Sequence, residues 1–197
     1  MRHELCPEGR AFRLRPIGLD DAGFVVALRS DPRATGRLHP IPGGVDDQVL
    51  WLERYFVRPG DWYWIVERRT DAAPEGTIGL YDLDRATGRA LWGRWMLRPG
   101  SLAAPESALL LYRVAFEQIG LSEVYSLTVA TNAAVLSFHD RSGLERAGTV
   151  SAAFRLGETW VDAVEHRLRR ESWPSTRDVL DSRAAQAAEL LERGGGL

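Results

Sequence analysis

The chain contains no lysine: all 25 of its Lys and Arg positions are arginine. That absence excludes Schiff-base chemistry and an activated lysine nucleophile. Its single cysteine, Cys6, excludes an intrachain disulfide and a cysteine-built metal cluster. The four histidines, His3, His39, His139 and His166, are scattered, with no spacing that suggests a metal site. No apolar run approaches the roughly 20 residues of a membrane span. The opening M-R-H-E-L-C-P-E-G-R is too polar for a secretory signal, so a cytoplasmic protein is expected. The formal net charge is only −2, which argues against nucleic acid or an anionic membrane as partner. The absence of a Gly-x-Ser-x-Gly turn disfavours a hydrolase.

What is present suffices for a sizeable core. At 197 residues, 45% hydrophobic and 26% charged, the chain fits one compact domain with or without a tail. Ala11 to Ile17 alternates apolar and basic residues, as a half-exposed strand does. Leu19-Asp20-Asp21 opens a helix to about Arg29, which Asp31-Pro32 ends. Arg33 to Gly44 holds two prolines and three glycines and is expected to be irregular. A second helix runs from Asp46 to about Arg58. Strands follow at Asp61 to Arg68, Thr77 to Leu83 and Ala90 to Leu97.

The stretch from Trp92 to Leu144 carries the functional argument. The strand A-L-W-G-R-W-M-L leads into R-P-G-S-L-A-A-P-E-S and then a nearly all-apolar helix, Ser107 to Ile119. Gly120 stands where a left-handed C-terminal residue is expected. Next come a strand, Glu123 to Ala130, and the helix and turn from Asn132 to Leu144. A strand feeding a helix N-terminus beside it is an anion-binding arrangement. Glu145 to Leu156 and Thr159 to Arg169 form a hairpin at Gly157-Glu158. Ser175 is placed to cap a last helix, in which Leu180, Ala184, Ala187 and Leu191 recur at helical spacing. The expected fold class is α/β, a mixed sheet with helices on its faces. Residues 1–173 form the domain and 174–197 a helical tail, packed on the body or on a second copy in a homodimer.

This order resembles the GCN5-related N-acetyltransferase (GNAT) superfamily, and within it the ribosomal-protein and nucleotide-aminosugar N-acetyltransferase branch. Four features spanning about Arg13 to Trp173 carry the resemblance. Asn132, His139 and Gly143-Leu144 fit the family's Asn, aromatic and Gly-Phe positions, with His for the commoner Tyr and Leu for Phe. M-L-R-P, Met96 to Pro99, ends the strand before the loop. G-E-T-W-V-D-A-V-E-H-R-L-R-R-E-S-W, Gly157 to Trp173, is like the branch's final hairpin. L-R-S-D-P-R and the later Trp51-Leu52-Glu53 are like its helix pair over the acceptor.

The resemblance implies an acyl-CoA N-acyltransferase fold, a central twisted mixed sheet with helices on both faces and an appended C-terminal helix. It implies acetyl transfer from acetyl-CoA, by direct attack and without metal, to a small-molecule amine such as an amino sugar or to a protein N-terminus. By it, Met96, Leu97 and Arg98 flank the pantetheine, and the Leu97 backbone polarises the thioester carbonyl. The amides of Glu106, Ser107 and Ala108 face the pyrophosphate. Asn132 bonds the cofactor or, equally, caps its helix. His139 protonates the departing thiolate, its ordinary pKa near 6.5 suiting a general acid; a packed core histidine is the competing reading.

The family's phosphate loop, Arg/Gln-x-x-Gly-x-Gly/Ala, has become L-A-A-P-E-S, Leu102 to Ser107. Pro105 lacks an N–H but suits a first helical position. Glu106 would repel a pyrophosphate on the same side, at about 3 kcal/mol for ~5 Å and an effective dielectric of ~20. Three readings follow: Glu106 points away and CoA binds; another acyl donor is used; or the fold is a non-catalytic ligand- or partner-binding module. Acceptor candidates are Arg37, His39, Trp51, Trp62, Trp64, Tyr81, Trp92 and Trp95. Asp82 and Glu67 are available as bases, and spacing singles out neither.

Overall fold

A computed structural model describes residues 2–35 and 43–194. Seven strands form one sheet: β1 (Phe12–Pro16), β2 (Trp62–Arg68), β3 (Pro74–Asp84), β4 (Arg89–Leu97), β5 (Glu123–Val129), β6 (Glu145–Leu156) and β7 (Thr159–Arg169). Their spatial order is β1-β2-β3-β4-β5-β7-β6. Only the β4–β5 pair is parallel, and helix α4 (Ala104–Arg113) makes the crossover between them, as parallel neighbours require.

The period of two along β2 explains how its apolar run W-Y-W-I-V is buried on both faces. Tyr63 and Ile65 join Val25, Leu52 and Tyr55 under α1 (Ala22–Ser30) and α3 (Val45–Phe56). Trp62, Trp64 and Val66 face the opposite way, into the main core with Leu109, Leu110 and Tyr112 of α4. A four-residue helix, α2 (Pro32–Thr35), follows α1, which corrects the expectation of an irregular chain from Arg33 for its first three residues, and α5 (Ala133–Arg141) follows β5.

Two helix boundaries differ from the sequence reading. Helix α4 begins at Ala104 rather than Ser107, which places Pro105 in its second position. It continues as a π-turn over Val114–Ile119 and stops at Gly120, whose φ of 86° is left-handed, as expected. Helix α6 (Trp173–Gly194) starts before Ser175, whose hydroxyl donates to the Ser172 carbonyl at 2.9 Å instead of capping. Trp173, Leu180 and Ala184 of α6 belong to the same core cluster as α4. No helix among the described residues is long and apolar enough to cross a membrane.

Candidate active site

Strands β4 and β5 pair only through Arg89, Ala90 and Leu91 with Glu123, Val124 and Tyr125. Beyond Leu91 the strands part, although β4 runs on to Leu97 and β5 to Val129. A bulge in β4 helps to open the fork: Gly79 opposes Gly93 and Thr77 opposes Met96, so β4 has one extra residue there. Arg94, inside it, has a φ of 50°, a left-handed conformation costly for a side-chain-bearing residue.

Its side chain shows what holds it there. The Arg94 guanidinium donates to both carboxylate oxygens of Asp61, at 2.5 and 2.9 Å. It lies 4.1 Å from the Tyr81 ring centroid, 5.1 Å from that of Trp51 and 5.2 Å from that of Tyr63. A bidentate ion pair inside an aromatic cage offsets the backbone strain.

The fork encloses a groove of about 520 Å³, walled by Trp92, Trp95, Met96, Ser126, Asn132 and His139 among others. Aromatic rings build its floor: Trp92 stacks on Tyr112 at 5.2 Å, and Trp95 meets Phe138 at 4.9 Å. The Trp95 indole N–H donates to the Ser107 hydroxyl at 3.1 Å. Asn132 is the N-cap of α5, its Oδ1 accepting the Val135 amide at 3.3 Å, and it also lines the groove.

His139 sits between Trp92, at 5.3 Å, and His166, at 5.1 Å. Its Nε2 is 3.4 Å from the Ser126 hydroxyl, and its buried Nδ1 has no hydrogen-bond partner among the described residues. Burial, with a smaller push from His166 and against the pull of Asp140, draws its pKa down to about 3. The imidazolium acid expected near neutral pH is therefore corrected: at pH 7 the ring is neutral, because the core cannot solvate the cation. His166 is wholly buried, and its Nε2 is 2.8 Å from Asp140 Oδ1 at the surface.

The altered loop has a definite geometry. The Glu106 carboxylate is 1% exposed and turned from the groove; it accepts the amides of Arg10, Ala11 and Phe12. The early start of α4 also corrects the expected amide set. The Ser107 amide donates to the Ala103 carbonyl at 2.8 Å, and Ala108 follows inside the helix, fully buried. The amides left without an intrahelical partner are those of Ala104 and Glu106. The Arg98 amide bonds the Glu75 carbonyl on the β3 side at 2.8 Å, so by strand alternation the Leu97 N–H faces the open edge. The Arg98 guanidinium lies over the Phe24 ring of α1, 5.2 Å from its centroid.

A second cavity, about 670 Å³, lies between α1, α3 and the sheet. Trp51, Tyr63, Asp47 and Arg54 line it, and Arg29 and Arg94 line both cavities. Of the acceptor candidates, Trp51 faces this cavity, and Tyr81, Trp92 and Trp95 face the groove. Trp64 does neither: it is core, its indole N–H donating to the Leu5 carbonyl at 2.7 Å. Trp62 is also core. Arg37 and His39 lie outside the described residues. Glu67 is buried between Arg13 and Arg15, to which it is ion-paired, and neither it nor Asp82 lines either of these two cavities. Sequence reasoning missed Arg29 and Arg94. A charge after Gly93 within an aromatic strand was the available sign of a bulge.

A family model described as an acetyltransferase (GNAT) domain matches residues 12–145. Three solved structures are similar in fold. Apo FdhC, a nucleotide-linked sugar GNAT, has 24% identity and a TM-score of 0.75 over 88% of this chain and 94% of its own. A GCN5-related N-acetyltransferase from Brucella melitensis has 19% identity and 0.77, over 90% and 84%. A mutant spermidine N-acetyltransferase SpeG from Vibrio cholerae has 13% and 0.72, over 84% and 97%. A search of curated proteins returns no match.

Proposed function

The chain belongs to the GNAT acetyltransferase family, and we propose that it transfers an acetyl group from acetyl-CoA to a primary amine by direct attack. The observation that carries this reading is the β4–β5 fork: a groove between unpaired strand edges, continuous through Arg29 and Arg94 with a second cavity. When bound, acetyl-CoA supplies a thioester whose carbonyl carbon the amine attacks, releasing CoA thiolate.

This chain's residues suit the task. The open β4 edge offers main-chain pairing to the pantetheine amides, and the Leu97 N–H is placed to polarise a carbonyl. The amides of Ala104 and Glu106 head α4, whose dipole favours an anion there. The Glu106 carboxylate is spent on Arg10–Phe12 and turned from the groove, which supports a CoA-binding loop over a non-catalytic module. The neutral His139 acts as a hydrogen-bond donor to the leaving sulfur rather than as an imidazolium, with Ser126 at its Nε2.

No carboxylate lines the groove among the described residues. The amine must therefore arrive largely neutral or lose its proton to water. That favours amines like an α-amino group, with a pKa of about 8, over alkylamines at about 10.4. Calorimetric titration with acetyl-CoA, followed by thiol release with added amines, tests the proposal. No heat at millimolar cofactor would sink it.

A further inference from the structure

Arg29 is a half-buried guanidinium standing where the groove meets the second cavity. It has no hydrogen bond, ion pair or ring contact among the described residues. Its neighbour Arg94 is committed to Asp61. The other charges on the second cavity's wall are Arg54 and Asp47, and Asp47 accepts the Gly44 amide at 2.9 Å. The cavity thus carries an excess of positive charge, with one cation drawn from water and left unpaired.

A cation in that position is costly unless an anion meets it. The planar fork of a guanidinium matches the paired oxygens of carboxylates and phosphates. Burial lowers the guanidinium's pKa somewhat, but an arginine remains charged.

We propose that the acceptor is an amine that also carries an anionic group, phosphate or carboxylate, which docks on Arg29 while the amine enters the fork. The proposal rests on the acetyltransferase reading and narrows its substrate class. It disfavours polycations, for which the cavity wall offers Arg29, Arg54 and Arg94 against the single carboxylate of Asp47.

The test uses matched pairs of amines: glucosamine against glucosamine 6-phosphate, alaninamide against alanine, with spermidine as the polycation. Each is assayed by thiol release and titrated calorimetrically into CoA-saturated protein. The phosphate pair and the carboxylate pair separate the two sources of charge. At least one anionic member should exceed its neutral partner by roughly 10-fold or more in affinity or kcat/KM. Arg29→Gln should raise KM for that substrate about 10- to 100-fold, with acetyl-CoA affinity within about twofold. Arg29→Lys should recover part of the loss.

Equal or better binding of neutral amines or spermidine overturns the proposal and leaves the transferase reading intact. So does an Arg29→Gln effect confined to acetyl-CoA, which would assign the cation to the cofactor. Wild-type protein that fails to bind acetyl-CoA refutes the underlying reading instead.

Discussion

The Glu106 carboxylate accepts the Phe12 amide at 2.9 Å across 94 residues of sequence, and it accepts the Ala11 and Arg10 amides beside it. A residue at the head of the phosphate-loop helix thus clasps the start of β1. Gly9 makes room, since a Cβ there would stand 2.2 Å from the carboxylate oxygen. Glu106→Ala should destabilise the protein by about 3 kcal/mol, because the buried Phe12 amide and the partly buried amides of Arg10 and Ala11 lose a charged acceptor. Glu106→Gln should leave CoA affinity within a few-fold. Urea unfolding and calorimetry measure the two; a large affinity gain in Glu106→Gln would mean that the carboxylate does face the pyrophosphate.

Asp61 is 6% exposed and holds both Arg94 donors. Removing it strands a half-buried cation in the β4 bulge. Asp61→Ala should therefore cost about 3 kcal/mol and lower turnover by displacing the groove wall. A variant with wild-type unfolding midpoint and wild-type kcat/KM would contradict that account.

His139 predicts an acid limb in stability. Its folded pKa, lowered from 6.5 to about 3, leaves both states neutral above pH 6.5, where nothing is lost. As pH falls below 6.5 the unfolded chain takes up a proton that the folded one does not, and stability declines until about pH 3. His3, lowered to about 4 mainly by burial, adds in the same direction. Melting temperature followed from pH 8 to 4 should fall less steeply in His139→Gln; an unchanged slope would place the titration elsewhere.

For catalysis, His139→Phe should slow turnover while CoA still binds. Because the wild-type ring is neutral, kcat should show no limb near pH 6.5 from this residue. Unchanged turnover in His139→Phe would leave the residue a packing element only.

By the resemblance of the loop, Leu102 is expected to stand where the family carries Arg or Gln. Leu102→Arg should tighten acetyl-CoA, with an added dependence on salt. Ser107→Gly should not help, since it removes the acceptor of the Trp95 indole N–H and costs about 1 kcal/mol. Tightening by Ser107→Gly alone would reverse this ranking.

The strand and helix order was legible because each element has a local signature. Alternation marked β1, the apolar helix ahead of Gly120 marked α4, and the Gly157-Glu158 turn marked the β6–β7 hairpin. The start of α4 was less so. Ser107 reads as a good first residue, but Ala103 supplies the first helical carbonyl and Pro105 tolerates the second position. Likewise Trp64 and Trp92, both strand tryptophans, are indistinguishable locally; both join the main core, and only tertiary packing sets Trp64 against Leu5 and brings Trp92 to the groove wall as well.

By itself the sequence determined the order of elements, the apolar faces and the motif residues, because these depend on periodicity and on chemistry within a few positions. The tertiary structure alone decided where the charges went. Glu106 is turned to an N-terminal strand, Arg94 to Asp61, and Arg29 to no hydrogen-bond or ion-pair partner among the described residues. Those pairings join residues distant in the chain, and local pattern carries no record of them. Burial likewise sets the state of His139, since its pKa depends on the rings packed around it rather than on its neighbours in sequence.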